Sequence, residues 1–473
     1  MGRRLLTTLA LAACAAQPAW AHPDLAQMQA LLEQLAARVQ ALEARNGELE
    51  KALESERLSE REPELATRLK ALEARSQAME APVQRMRALD GIQVEGSLIG
   101  VGQSAGAGAT ASGQRETRLN YRGDVQVTVP AGEWGEVTGK ALAHVRLGQG
   151  RGAGLRPTYT SSTNSLGFEV GGVNDPDSSF AILAQGWYQL DIPLSGGAGA
   201  QAQQRARVTL GKIDLFGFFD GNQIAADEAT RFQNNVFVHN PLLDSGAGIG
   251  ADAYGFAPGV ILQYLDEGDK AGSWSYSLGV FGSGAGANFS GSPGKPLVIA
   301  QVETAQRLGH LPGQYRLYAW TNGRAPGWDG SAQRQHGVGL SVDQQVLDDL
   351  TLFARWGRLT KGQTRFDSAL TLGGEWRGND WGRGGDALGL AWGRLRTSKG
   401  FAGVSATLDA DGDGRPDWGY SASGAETLAE LYYRWNLGHG LQLTPSLQYI
   451  RRPGGDGAAG AVRVLGLRAQ WAF

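Results

Sequence analysis

The chain has 473 residues, more than one compact domain needs, and 42% of them are hydrophobic at a mean hydropathy of -0.27. Past the N-terminal stretch no apolar run reaches the roughly 18 residues of a membrane helix, which excludes a helical membrane protein. A formal charge of -3 with no basic stretch excludes a nucleic-acid partner, and 70 glycines beside 13 Trp, 12 Tyr and 14 Phe are unlike a disordered chain, which avoids aromatics.

Residues 1–21 read as an export signal. Arg3 and Arg4 supply the positive region, Leu5 to Ala16 the apolar stretch and Ala19-Trp20-Ala21 the cleavage site. Leu11-Ala12-Ala13-Cys14 also fits a lipoprotein box. Cleavage there leaves an apolar region of only about nine residues, so the expected mature start is His22. The mature chain then has no cysteine, and neither a disulfide nor a thiol site.

Residues 22–90 carry heptads. Leu25, Leu32, Val39, Asn46 and Leu53 recur every seven residues, with Met28, Leu35, Leu42 and Leu49 interleaved. Pro63 interrupts the frame, which resumes through Leu65, Leu69, Leu72, Met79, Val83 and Met86. A seam this narrow with no globular core beside it needs partner helices, most simply from identical chains. The segment is therefore expected to be an α-helical coiled coil with Asn46 fixing the register. The heptads do not give the number of strands; a homotrimer through this segment is the expected partner state.

From residue 91 to 473 the period changes to two. Leu119, Tyr121, Gly123, Val125, Val127 and Val129 share one face, opposite Asn120, Arg122, Asp124, Gln126 and Thr128. The pattern recurs at 137–146, 350–356 and 426–436. Strands of about eleven residues match a tilted membrane crossing. Lipid offers no hydrogen-bond partners, so such a sheet must close on itself. Seventeen candidate strands can be drawn, the weakest being Ser165 to Gly171. An even number is expected, so the predicted fold class is an all-β transmembrane antiparallel barrel of 16 strands behind an N-terminal coiled coil. Leu465, Leu467, Ala469, Trp471 and terminal Phe473 share a face. An aromatic C-terminus in this phase reads as a barrel sorting signal carried by Trp471 and Phe473. Localisation follows: barrel in the outer membrane, coiled coil in the periplasm.

Among the six histidines there is no HExxH motif, and the chain has no GxSxG elbow or phosphate-binding loop, so no enzyme is expected. The stretch 211–243 is the least strand-like part of the barrel region. Folded into the lumen, its Lys212, Asp214, Asp220, Asn222, Asp227, Glu228 and Arg231 would form a pore constriction; left outside, they would be a solvated loop. Lys140, Arg146, Arg207, Arg316, Arg355, Glu375, Arg377, Glu430, Arg434 and Arg468 take the inward phase, a mixed lumen with a basic tilt that either favours anions weakly or pairs across strands and only keeps the wall wet. Trp187, Tyr318, Trp320, Phe353 and Tyr432 share that phase and could stack on sugar rings or simply build the wall.

Here the chain resembles the carbohydrate-selective porin family of the OprB type. The matching features are Gly211-Lys212-Ile213-Asp214, Phe219-Asp220-x-Asn222, Asp227, Phe232-x-Asn234, Ala429-Glu430-Leu431-Tyr432-Tyr433, Pro445-x-Leu447-Gln448-Tyr449-Ile450, Pro453-Gly454-Gly455 and Gly466-Leu467-Arg468. The resemblance covers most of residues 92–473 and implies passive passage of small hydrophilic solutes, carbohydrates first. The coiled coil resembles versions of the family with an envelope-attaching extension, which implies peptidoglycan as a further partner. Rival readings are a general or weakly anion-favouring porin and a structural tether between outer membrane and cell wall.

One motif stands apart. Asp409, Asp411 and Asp413 alternate before a turn glycine, with Asp417 further on, as in the opening of a calcium loop. The place of the bidentate Glu is taken by Tyr420. Bound calcium and an acidic surface turn are both open, and no cofactor is required for passive diffusion.

Overall fold

The computed structural model describes residues 36–45, 91–156, 158–159, 163–168, 179–244, 255–268, 272–283 and 294–473. The chain divides into two units, Met1–Asp90 and Gly91–Phe473. In the first, residues 36–45 form a helix that exposes Val39 and Leu42, one helical step apart. The export signal, Asn46 and the rest of the heptad seam lie outside the described residues.

The second unit is a ring of sixteen strands. They are β1 (Gln93–Ala105), β2 (Glu116–Trp134), β3 (Val137–Gln149), β4 (Phe180–Ser195), β5 (Gln204–Asp214), β6 (Phe256–Asp266), β7 (Gly272–Phe281) and β8 (Leu297–Leu308). There follow β9 (Leu311–Pro326), β10 (Ala332–Leu347), β11 (Leu350–Lys361), β12 (Phe366–Gly378), β13 (Arg383–Thr397), β14 (Ala425–Gly438), β15 (Leu441–Arg451) and β16 (Val462–Ala472). Each pairs antiparallel with its sequence neighbours, and β1 closes the ring on β16 from Ser97↔Ala472 to Ala105↔Val464. No edge remains, as lipid requires.

Burial is inverted relative to a water-soluble protein. On β2, Leu119 is 79% exposed, whereas its neighbours Asn120 and Arg122 are buried. On β11, Leu352 is exposed and Arg355 is 1% exposed. Large apolar side chains on the outside and charge on the inside fit a wall between hydrocarbon and a polar lumen. One rim is made of short turns, such as Gly135-Glu136, Gly309-His310 and His439-Gly440; the other carries the long connections 150–179, 215–255 and 398–424. Exposed Trp376, Trp381, Trp435 and Trp471 gather toward the short-turn rim, where amphipathic rings suit the headgroup layer.

The terminal Phe473 locks the seam. Its N–H and C=O exchange 3.0 Å hydrogen bonds with Gly96, and a Cβ at Gly96 would collide with its ring. The candidate strand at Ser165 does not form through Phe168. Asn164 accepts the Leu166 N–H at 3.0 Å, and the Gly167 N–H bonds the Asn164 carbonyl, which makes a turn instead.

Candidate functional site

The segment 211–243 leaves the wall at the end of β5. Asp214 caps the first turn by accepting the Phe216 N–H at 3.0 Å. The chain then reaches inward-phase residues on most of the ring. The Asp220 N–H donates to Gln301 Oε1 on β8 at 2.9 Å. Its carboxylate accepts from Tyr318 Oη on β9 at 2.6 Å, from Arg355 Nε on β11 at 2.9 Å and from the Asn240 N–H at 2.6 Å. Asn222 donates to Ser341 Oγ on β10 at 3.2 Å and accepts the Ile224 and Ala225 N–H groups. Glu430 on β14 accepts the Gln233 and Asn234 N–H groups at 2.8 and 3.0 Å. Arg468 on β16 donates to the Glu228 and Arg231 carbonyls, both at 2.8 Å. A chain bonded to the inner faces of strands this far apart lies within the ring.

Apolar packing follows the same path. Phe219 meets Phe281 edge-on at 6.1 Å, and Phe232 lies within 6 Å of Phe353 and Tyr432. Gln223 is exposed, and Phe216, Phe218 and Asp227 to Arg231 are partly exposed. Asp227 accepts the Ala229 and Thr230 N–H groups, so it shapes the bend. Glu228 pairs with Arg122 at 3.0 Å. Burial is the largest single influence and works against its charge, but Arg122, Arg146, His239 and a backbone hydrogen bond together hold the carboxyl below the ordinary glutamate range. Arg231 lies 3.6 Å from Asp227 and 3.5 Å from Glu375.

The expected constriction residues therefore divide. Asp220 and Asn222 are buried in the contact with the wall and present nothing to a solute. Lys212 donates to the Leu183 carbonyl at 2.9 Å, near the root of the segment. Glu228 and Arg231 keep an exposed fraction, as does Asp227.

The inward-phase charges divide too. Arg316 is buried between Asp343 at 3.0 Å and Glu303 at 3.1 Å. Arg355, Glu430 and Arg468 are buried under the segment, and Glu375 joins Arg434 at 3.2 Å with Tyr432 Oη at 2.5 Å. Arg377 is exposed beside the short turn Asp348-Asp349. The wall of β3 to β5 differs. Lys140, Arg146 and Arg207 are only partly covered there, with Arg146 on Asp124 and Arg207 on Asp191, both at 2.7 Å.

Four aromatics weighed as sugar platforms are packed away. Tyr318 lies on Gly339, Trp320 on Gly337, Phe353 on Gly373 and Tyr432 on Gly389, each glycine directly opposite on the next strand. A side chain at any of these glycines would strike the ring. Glycine therefore serves here as a socket for an inward aromatic, which accounts for part of the glycine excess. Trp187 remains partly open, edge-on to Phe218 at 6.1 Å with Lys140 Nζ 5.8 Å from its ring centre.

A second inward connection has no counterpart in the sequence reading. Between β3 and β4, the Tyr159 N–H donates to Glu426 at 2.9 Å, and the Thr163 carbonyl accepts from Gln103 and Gln448. The Leu166 carbonyl accepts from Asn120 at 2.8 Å, and the Ser165 N–H bonds the Gln233 carbonyl of the other segment. The signal available was the polar inner face of β1, β2 and β15, whose amides need partners.

Asp409, Asp411 and Asp413 hold carboxylate oxygens within 4.8 Å of one another and are exposed. These oxygens also accept backbone N–H groups: Asp409 from Gly412, Asp413 and Gly414, Asp411 from Asp413, and Asp413 from Arg415. Asp417 instead turns to the Ala410 N–H at 2.9 Å and is not one of the clustered three. The three could face a cation, and without one they organise the turn.

The model of the carbohydrate-selective porin, OprB family, matches residues 136–473. The fold is similar to that of OprB from Pseudomonas putida at high pH, with a TM-score of 0.61 and 19% identity, over 82% of this chain and 96% of that one. A mutant of Rh. blastica porin matches at a TM-score of 0.43 and 11% identity, over 81% of this chain and 100% of that one. No curated protein matches the chain.

Proposed function

Because this chain belongs to the OprB family of carbohydrate-selective porins, we propose that its solutes cross through an aperture bounded by the segment 211–243 on one side and the wall of β3 to β5 on the other. The protein is an outer-membrane porin for carbohydrates, a channel rather than an enzyme. The observation that carries the aperture is the hydrogen bonding of Asp220, Gln233 and Asn234 to inner-face residues of β9, β11 and β14. A sugar entering this space sheds part of its hydration and exchanges water for the partly exposed polar groups of Gln223, Asp227, Glu228 and Arg231 and for Lys140, Arg146 and Arg207. Trp187 and Phe218 supply the partly open aromatic surface beside that path. Arg146 and Arg207 are each paired with an aspartate, so a weak preference for anions over cations among small ions rests on Lys140.

Single-channel recording in planar bilayers tests the reading. Conductance in salt should fall stepwise or gradually as a simple sugar is added. A closed barrel with no conductance, or an open one indifferent to sugar at every concentration, refutes it.

For the N-terminal unit, the reading is a cleaved signal over residues 1–21 and a periplasmic coiled coil over 22–90 that joins three copies and reaches peptidoglycan. Its support is the heptad spacing with Asn46 in the seam. The mass of the mature protein in mild detergent decides the trimer, and co-sedimentation with purified peptidoglycan decides the tether.

A further inference from the structure

Arg355 and Glu430 stand on the inward face of β11 and β14, yet neither can meet a passing solute, since both are buried. Among the described residues, every acceptor that Arg355 uses belongs to the inserted segment. Nε donates to Asp220 Oδ1 at 2.9 Å, Nη2 to the carbonyls of Asp220 and Ala225 at 3.0 and 2.8 Å, and Nη1 to the Phe237 carbonyl at 3.3 Å. Asp220 itself has φ of 56°, a left-handed backbone that a residue other than glycine adopts only when its surroundings impose it. Tyr318 and Asn240 complete the cage around its carboxylate. Three strands away, each oxygen of Glu430 takes one backbone N–H, from Gln233 and from Asn234. The next residue of the chain, Asn235, opens a short helix that Asn234 caps.

The wall thus grips the segment at two charged points that face protein rather than water. We propose that Arg355 and Glu430 are positioning residues, which clamp residues 219–240 across the lumen and thereby set the bore and the solute selectivity without touching any solute. This rests on the segment being the constriction. A charged group buried against backbone amides or carbonyls holds them in one geometry, because any shift leaves the charge unsatisfied. Each clamp therefore fixes the segment in position more sharply than apolar packing of the same area would.

Arg355→Met and Glu430→Gln test the clamps. The second exchanges one carboxylate oxygen for an amide NH2 that must oppose the Gln233 or Asn234 N–H, at unchanged size. In planar bilayers both variants should conduct roughly twofold or more above the parent, with noisier open levels and weaker block by added sugar, since the gripped segment is what narrows the pore. Folding is read separately, from β-sheet circular dichroism and heat-modifiable gel mobility. If Arg355→Met does not fold, Glu430→Gln decides. Folded variants with parental conductance and sugar block overturn the proposal, and so does failure of both to fold, which would make these residues supports of the barrel itself. A chain with residues 219–240 replaced by a short glycine–serine linker separates the two claims. If it conducts like the parent, the constriction reading fails; if it conducts more while the clamp variants do not, only the clamps fail.

Discussion

The wall of β3 to β5 and the wall of β9 to β14 obey the same alternation, and their inward charges do different work. On the first, Lys140, Arg146 and Arg207 stay partly open. On the second, Arg316, Arg355 and Glu430 are covered. The difference lies outside either wall, in where the chain between β5 and β6 comes to rest. An inward phase therefore tells which side of the sheet a residue occupies, and the inserted segment decides whether that side is water or protein. Covered charges must be paired or hydrogen-bonded, whereas partly open ones keep a face toward the lumen even where, like Arg146 and Arg207, they share an aspartate.

The contrast can be broken by substitution, and the largest effect is expected at the covered wall. Arg355→Met leaves the Asp220 carboxylate buried without its cation, and stability to urea should fall by about 3–5 kcal/mol, followed by tryptophan fluorescence. A loss too small to measure would mean that Asp220 reaches water and that this wall is open. Next comes Gly339→Leu, which forces Tyr318 off its socket, at a cost of about 1–3 kcal/mol in the same assay. An unchanged midpoint there would show that the aromatic does not need the glycine.

On the open wall Lys140→Glu should leave stability within about 0.5 kcal/mol while moving the reversal potential in a salt gradient toward cations. A reversal potential equal to the parent's would place Lys140 off the conduction path. The smallest effect belongs to the Asp409→Ala change, which removes three turn hydrogen bonds at an exposed site and is expected to leave conductance unchanged and stability within about 0.5 kcal/mol. Should added calcium raise the parent's midpoint and not the variant's, the turn holds an ion after all.

Phe353 and Trp187 illustrate how far residue type misleads. Both are inward aromatics, and in the sequence they look equivalent. Phe353 is fitted against Gly373 and Phe232, one from a neighbouring strand and one from a segment more than a hundred residues away. Trp187 also faces a glycine, Gly211, and a segment aromatic, Phe218, but the contact is edge-on and the ring stays partly open. Asn164 shows why the weakest strand candidate does not form as far as Phe168: its side chain captures the Leu166 N–H and offers an amide to Asn120.

What the sequence determined by itself is local and periodic. A two-residue alternation over long strands and an aromatic C-terminus in phase with the outer face dictate which residues meet lipid, and lipid's lack of hydrogen-bond partners then requires closure. Tertiary structure alone decided which inward residues face water. That choice depends on Asp220 meeting Arg355 across 135 positions and Gln233 meeting Glu430 across 197, contacts that close loops far longer than any periodic signal can span.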